Sequence, residues 1–249
     1  MSRASPEPII SIRRAGSIPV RLAQVVGERC SGTNFLDALL FDNFKLSRGN
    51  FYGWKHGFPT FCAAPPAGLC IVVARNALDW VRSMYGKPWH SSPSLRNLGF
   101  SDFIRAPWQA VVDKGRYFSL PEADGRVGQV LQYDRHPITG QEFCNIVQLR
   151  NAKLASHLGL LNRNINIAIV RHEDFLSQPG HVLETIAEAF DINKRESFLT
   201  IPSGKFGWNW EHRSKTIEFV PKSLSESDRE FVISALDLSQ ERLLGYQYK

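Results

Sequence analysis

The sequence has few of the features that mark a metal site, a disulfide framework or a membrane span. Its 249 residues include only four cysteines, with no CxxC pair and no metal-ligand spacing to a histidine, so no metal site is expected. No apolar run reaches the roughly 18 residues of a spanning helix, and residues 1–20 lack the apolar core of a signal peptide. We therefore expect a cytoplasmic protein with reduced thiols and no stable membrane insertion.

The basic residues exceed the acidic ones without forming blocks. Thirty Lys and Arg stand against 24 Asp and Glu, which gives a formal net charge of +6. Such an excess suits an anionic ligand, a nucleic acid or an anionic membrane surface. Because the charges are scattered along the chain, a nucleic acid partner is not favoured.

Short apolar runs alternate with helical patterns along the chain. Residues 21–27, 69–74 and 165–170 predict buried strands. Each run is followed by apolar residues at helical spacing. This alternation predicts an α/β fold of three layers, with a central, mostly parallel sheet and helices on both faces.

The chain is predicted to form one domain over residues 1–249. Residues 1–20 mix charges, serines and prolines and are interpreted as a loose lead-in. Residues 86–140 are rich in Pro, Gly, Ser and unpatterned aromatics, which favours an insertion over the sheet edge that contacts an acceptor molecule.

A candidate anion-binding loop joins the first strand to the first helix. Backbone N–H groups at a helix start favour a bound phosphate or sulfate, and glycine lets the backbone approach the anion closely. The loop lacks the GxxxxGK[ST] pattern of ATP- and GTP-binding loops. Taken alone, Ser31-Gly32-Thr33 also fits an ordinary helix start capped by Ser or Thr. The segment reads Gly27-Glu28-Arg29-Cys30-Ser31-Gly32-Thr33-Asn34-Phe35-Leu36.

Three ordered motifs resemble those of the sulfotransferase superfamily, whose members use 3′-phosphoadenosine 5′-phosphosulfate (PAPS). Residues 31–36 resemble the 5′-phosphosulfate loop, in which a basic residue precedes Ser-Gly-Thr-Thr. Arg75 and Ser83 have the eight-residue spacing of the 3′-phosphate site. Residues 170–175 are similar to the Tyr-Glu-Asp stretch that follows a late strand.

The resemblance implies a P-loop NTPase-like core that binds PAPS as donor and releases 3′-phosphoadenosine 5′-phosphate (PAP), with no metal required. It also implies that a basic loop near the C-terminus closes over the 3′-phosphate. The implied donor-binding residues are Arg29, Cys30, Ser31, Gly32, Thr33, Asn34, Phe35, Arg75, Ser83, His172, Lys205, Arg213 and Lys215.

The motifs also depart from the family pattern. Cys30 occupies the position of the basic residue, and Arg29 lies one position earlier. Asn34 replaces the second hydroxyl residue. His172 and Phe35 stand where the soluble enzymes have an adenine-contacting Tyr and a stacking Trp, and either ring can still stack on adenine.

The residues predicted to be catalytic are Lys55 and His56, in a segment that resembles Lys-x-His-x-Pro of soluble sulfotransferases. There the histidine acts as base and the lysine as a donor-side cation, whereas here the two are adjacent. An imidazole suits proton abstraction near neutral pH. Arg29 is a further cation for the bridging oxygen, and Glu28 is an alternative base.

The sequence therefore predicts transfer of a sulfuryl group to a hydroxyl or amine of a small molecule or carbohydrate. A P-loop-type nucleotide kinase is one alternative, although the loop lysine is missing. A non-catalytic nucleotide-binding relative is another, because the basic residue is displaced at Cys30.

Overall fold

The computed structural model describes residues 10–203 and 220–248. The strands are β1 (Ile10–Arg13), β2 (Leu22–Gly27), β3 (Ser47–Arg48), β4 (Gly68–Ala74) and β5 (Asn166–Arg171). They form one sheet in the order β1-β5-β4-β2-β3. Four strands run parallel, and β1 pairs antiparallel with β5.

A helix follows each of the three predicted strands, as the apolar spacing indicates. No helix of the described residues is long and apolar enough to cross a membrane. The helices are α1 (Thr33–Asn43), α2 (Ala77–Gly86), α3 (Pro93–Arg96), α4 (Phe100–Arg105), α5 (Ile146–Leu158), α6 (His172–Ser177), α7 (Pro179–Phe190), α8 (Glu226–Ala235) and α9 (Leu238–Leu243).

The central strands are apolar along their length because both faces of the sheet are covered. Every residue of β4 is buried. Alternate side chains point to opposite faces: Ile71 packs in a cluster with α1 and α7, whereas Val72 packs in a cluster with Leu154 of α5. The predicted three-layer α/β arrangement with a mostly parallel sheet is confirmed.

The prediction that residues 1–20 form a loose lead-in is wrong for residues 10–13, which form strand β1. Ile10 pairs with Val170 and Arg13 with Ile167, so β1 closes the edge of the sheet beside β5. The pattern Ile-Ser-Ile-Arg is short and follows charged residues, and its strand state depends on backbone pairing with a partner more than 150 residues away.

The segment 86–140 forms short helices and turns that pack beside the sheet. Its apolar residues, among them Phe103 and Trp108, join a cluster with α2, α5 and α8. Helix α4 lies within this segment and buries Phe103 and Ile104. The segment reaches the ends of the parallel strands through Trp89, His90 and Tyr117.

The strand order creates a switch point between β2 and β4. From β2 the chain passes to β3 on one side and then crosses to β4 on the other. In open α/β sheets a crevice forms at such a point beyond the carboxyl ends of the strands, and ligands bind there. The loops after β2 and β4 meet at this crevice.

Candidate functional site

A cleft of about 570 Å³ lies at the switch point. It is lined by loops that follow β2, β4 and β5, together with the segment around Lys55 and part of segment 86–140. Eleven of the residues predicted from sequence line it: Arg29, Cys30, Gly32, Thr33, Asn34, Phe35, Lys55, His56, Arg75, Ser83 and His172. The other lining residues are Trp54, Lys87, Trp89, His90, Tyr117 and Leu176.

The first turn of α1 opens into the cleft without a side-chain cap. Gly32 is the N-cap residue, in the left-handed region at φ 97°, and no side chain accepts a hydrogen bond from the first turn. The Ser31 hydroxyl instead donates to the carbonyl of Glu28 at 2.5 Å. The interpretation as a helix start capped by Ser or Thr is therefore wrong, and the first amide groups of α1 remain available to an anion.

Gly32 is required by conformation and by space. A Cβ atom here would overlap His172 Cδ2 and approach Phe175 Cζ to 2.9 Å. We expect Gly32→Ala to lower the free energy of unfolding by about 1–3 kcal/mol, measured by urea denaturation. Gly159→Ala is the control, because Gly159 has φ −59° and no atom within 4 Å of an added Cβ. Equal losses in both variants would contradict this role of Gly32.

Arg75 contributes a guanidinium group that is only partly satisfied. Its Nη1 donates to the carbonyl of Cys30 at 2.8 Å, while its Nε is buried without a hydrogen-bond partner among the described residues. A buried donor without a partner is costly, so this atom marks a place where an anion would be favourable. Ser83 and Lys87 of the following helix and turn line the same cleft.

The described residues that line the cleft include positive but no negative side chains. No aspartate or glutamate occurs among the described residues that line it. Neither Arg75 nor Lys87 forms an ion pair with a described residue. The excess of positive charge at this place, next to the uncapped start of α1, suits a ligand with more than one anionic group.

Lys55 and His56 line the cleft beside the anion loop. Lys55 Nζ donates to the side-chain oxygen of Asn34 at 2.5 Å, and burial lowers its pKa. His56 Nδ1 lies 2.7 Å from the carbonyl oxygen of Gly27. Because a carbonyl only accepts, Nδ1 carries the proton and Nε2 has the lone pair. Burial and the charge of Lys55 hold the pKa of His56 well below its usual value.

Glu28 and Arg29 belong to a buried ion cluster with Asp134 and Lys153. Arg29 Nε lies 2.9 Å from Glu28 and its Nη2 lies 2.6 Å from Asp134. Lys153 Nζ lies 2.6 Å from Asp134 and 3.0 Å from Glu28. The cluster contains two charges of each sign, so it is neutral.

This cluster corrects two predicted roles. The Arg29 side chain is only 1% exposed and its charge is compensated by two carboxylates, so the geometry does not favour it as a direct anion ligand. Burial raises the pKa of Glu28, but the charges of Lys153 and Arg29 outweigh burial and lower it. Glu28 and Ser31 line a separate cavity of about 20 Å³ behind the loop, so Glu28 is not placed to act as a base in the cleft.

The same cluster holds the segments of the cleft in place. Lys153 Nζ donates to the carbonyl of His56 at 2.7 Å, and Arg29 Nη1 donates to the carbonyl of Trp89 at 3.0 Å. Trp108 Nε1 donates to Asp134 at 2.8 Å. The anion loop, the His56 segment and segment 86–140 are therefore fixed by one set of buried charges.

Cys30 is in the left-handed region at φ 60°. Burial raises the pKa of its thiol to about 11, so the thiol stays protonated at neutral pH. Its Sγ donates to the carbonyl of Lys87 at 3.5 Å. Cys30 thus joins the anion loop to the turn after α2 and supplies no charge.

Phe35 and His172 form the side of the cleft beyond the loop. Phe35 stacks on Phe175 with ring centroids 5.7 Å apart. His172 meets the same Phe175 ring edge to face. Burial and the charge of Arg75 lower the pKa of His172 to about 4, so its ring is neutral at pH 7 and offers an uncharged face.

Some predicted residues lie outside the part of the chain that the structure describes, and some residues of the cleft were not predicted. Lys205, Arg213 and Lys215 lie outside the described residues. Sequence reasoning missed Lys87 and His90. It named Trp54 only as the start of the segment that contains Lys55 and His56, and Trp89 and Tyr117 only among the aromatic residues of segment 86–140. Lys87 follows Ser83 by one helical turn, a spacing that could have indicated it; nothing local distinguished His90.

No protein-family model matches the chain, and no characterised protein or solved structure is significantly similar to it. The resemblance of three motifs to sulfotransferases stays a prediction from the sequence. Any assignment of function depends on the chemistry of the cleft itself.

Proposed function

We propose that the protein is a PAPS-dependent sulfotransferase with a P-loop NTPase-like core. One observation carries the proposal: Arg75, Ser83 and the uncapped start of α1 line one cleft that contains no acidic side chain among the described residues. The donor has two separate anionic groups, a phosphosulfate and a 3′-phosphate. The cleft offers two sets of donors that suit anions, the first amide groups of α1 and the side chains of Arg75, Ser83 and Lys87.

The start of α1 would hold the phosphosulfate. Its first amide groups have no cap, and Thr33 and Asn34 add side-chain donors that line the cleft. Lys55 reaches the same place through its contact with Asn34. A cation there would stabilise the charge that develops on the leaving oxygen.

Arg75, Ser83 and Lys87 would hold the 3′-phosphate. The guanidinium Nε without a partner offers a donor in a fixed direction, and a phosphate accepts such a donor strongly. Phe35, His172 and Leu176 give the cleft an apolar side suited to a flat base. Acceptors would enter past segment 86–140, whose aromatic residues suit a phenol or a sugar.

Binding of PAP tests the donor site directly. We expect calorimetry to show micromolar binding to the wild type. Arg75→Ala should weaken it by roughly ten- to hundredfold, because a charge-assisted hydrogen bond contributes about 1.5–3 kcal/mol. Arg48→Ala is the matched control, since Arg48 lies on the short strand β3 and pairs with Asp37 away from the cleft.

The outcomes separate the candidate functions. Failure of the wild type to bind PAP would overturn the sulfotransferase proposal. Binding of ATP with Mg²⁺ and metal-dependent turnover would favour the nucleotide kinase instead. Tight PAP binding without transfer to any acceptor would favour the non-catalytic relative.

A further inference from the structure

A histidine and an aspartate form a hydrogen-bonded pair at the part of the cleft that segment 86–140 contributes. His90 Nδ1 lies 2.7 Å from Asp113 Oδ1, and both side chains are about 5% exposed. The Asp113 carboxylate also accepts the backbone N–H of Lys114 at 2.9 Å. His90 nevertheless lines the cleft, whereas Asp113 is not among the lining residues.

The partner of Nδ1 decides which ring nitrogen can accept a proton. The pairing lowers the pKa of Asp113 despite burial, so the carboxylate is ionised and Nδ1 of a neutral His90 carries the proton. Nε2 then has the lone pair, and it has no hydrogen-bond partner among the described residues. This is the tautomer that a base needs when a carboxylate orients it.

The backbone holds His90 in a conformation that is uncommon for residues other than glycine. Its φ is 62°, in the left-handed region. The carbonyl of His90 accepts the Val111 N–H at 2.7 Å, and Ser91 pairs with Ala110. Conformations of this kind persist where the surrounding structure fixes them, and they cluster at functional sites.

The imidazoles of His56 and His90, two of the three that line the cleft among the described residues, differ in what faces their Nδ1. His56 donates to a neutral carbonyl and has the positive Lys55 as its neighbour in sequence. Protonation of His56 Nε2 would therefore place a positive charge beside that of Lys55, which disfavours His56 as a base. His90 donates to a carboxylate, which stabilises the imidazolium that forms on proton abstraction. Both rings contact Trp54, at 5.4 and 5.7 Å between centroids.

We propose that His90, oriented by Asp113, is the general base that takes the proton of the acceptor hydroxyl. The proposal rests on the sulfotransferase function proposed above and reassigns proton abstraction from His56. The rings of Trp54, Trp89 and Tyr117 contact the His90 ring. An acceptor that presents a flat apolar face next to its hydroxyl group fits this enclosure.

The step balances without a further reactant. The acceptor oxygen forms a bond to the donor sulfur while the bond between that sulfur and the bridging phosphate oxygen breaks. The electron pair of the broken bond leaves on PAP. The proton of the acceptor passes to His90 Nε2 and is later released to solvent.

Transfer assays with purified full-length protein test the assignment. PAP release from PAPS is measured with 2-naphthol, with methyl β-glucoside and with water as acceptors. His90→Gln is expected to lower kcat/KM by about 10²- to 10⁴-fold, the usual contribution of a positioned base, with the Kd for PAP changed less than threefold. His56→Gln is expected to lose less activity than His90→Gln.

The variant His90→Gly distinguishes loss of the base from loss of the folded structure. Glycine accepts the left-handed conformation of residue 90 without strain, so we expect His90→Gly to fold, lose activity and regain part of it when free imidazole is added. His181→Gln is the matched control, because His181 lies exposed on α7, and it should keep wild-type activity.

The pH profile tests the positioning role of Asp113. The charged groups around His90 are Asp113 and Asp134, which raise its pKa, and Arg29, which lowers it together with burial; Arg96 lies 3.8 Å from Asp113. A base is active in its neutral form, so activity falls as pH drops through its pKa. Asp113→Asn removes a charge that raises this pKa. The acidic limb of kcat/KM should therefore move to lower pH while the plateau falls.

Three results would overturn the assignment. Wild-type protein that does not bind PAP fails the proposed function, and the base role with it. Full activity in His90→Gln, with PAP bound and PAPS turned over, overturns the base role alone. Bound PAP without turnover on any acceptor, water included, contradicts both transfer and the base role.

Discussion

Replacing Asp134 with asparagine is expected to lower the free energy of unfolding by about 3–5 kcal/mol, because it breaks a buried ion cluster. Asp134 is 2% exposed and compensates both Arg29 and Lys153. Asparagine keeps the shape but removes the charge. The cluster would then contain the negative Glu28 and the positive Arg29 and Lys153. One buried positive charge would be left without a partner. Urea denaturation at pH 7 measures the loss.

A double substitution tests the electrostatic reason. Lys153→Met combined with Asp134→Asn leaves the neutral pair of Glu28 and Arg29. The double variant should therefore be more stable than the sum of the two single losses predicts. Asp37→Asn is the control for an exposed pair, with an expected loss below about 1 kcal/mol. The cluster's role would be contradicted if the losses of the two single variants simply added in the double variant. A loss below about 1 kcal/mol for Asp134→Asn would contradict it as well.

Lowering the pH from 7 to 5 is expected to reduce the free energy of unfolding by about 4 kcal/mol through His157 and His172 alone. Burial lowers the pKa of His157 to about 4 and that of His172 to about 4, against about 6.5 in an unfolded chain. Between these values the unfolded state binds a proton that the folded state does not. Stability therefore falls as pH falls through this window, by about 2 kcal/mol for each histidine.

The buried carboxylates do not cause this loss of stability between pH 7 and pH 5. The pKa values of Asp134 and Glu28 are lowered in the folded state, and these groups are ionised in both states above about pH 5. His157→Gln removes one titrating group, so its unfolding free energy should depend less steeply on pH between 7 and 5. An unchanged slope in this variant would show that His157 is not protonated on unfolding.

The fold could be predicted where the local signal was strong. Residues 69–74 are apolar throughout, and only a strand covered on both faces accommodates such a run in a chain of alternating elements. The helix after residue 33 follows from its apolar spacing. β1 could not be predicted in this way, because residues 10–13 form a strand by pairing with β5 from the far end of the chain.

The candidate site could be predicted where its residues follow strands directly. Arg75 comes immediately after β4 and Gly32 follows β2, and parallel strands bring their carboxyl ends to one edge. The direction of each side chain could not be predicted. Arg29 and Glu28 lie in the same loop as Gly32, yet their charges turn to Asp134 and Lys153, which are distant in sequence.

The sequence by itself determined the central strands β2, β4 and β5 and the helices that follow them, because hydrophobic period acts locally. It also determined which loops meet at the switch point, because parallel strands bring their carboxyl ends to one edge. Only the tertiary structure decided which charges face the ligand and which face each other. Electrostatic pairing depends on distance in space and on burial, and a linear order of residues specifies neither for Arg29 with Asp134 or for His90 with Asp113.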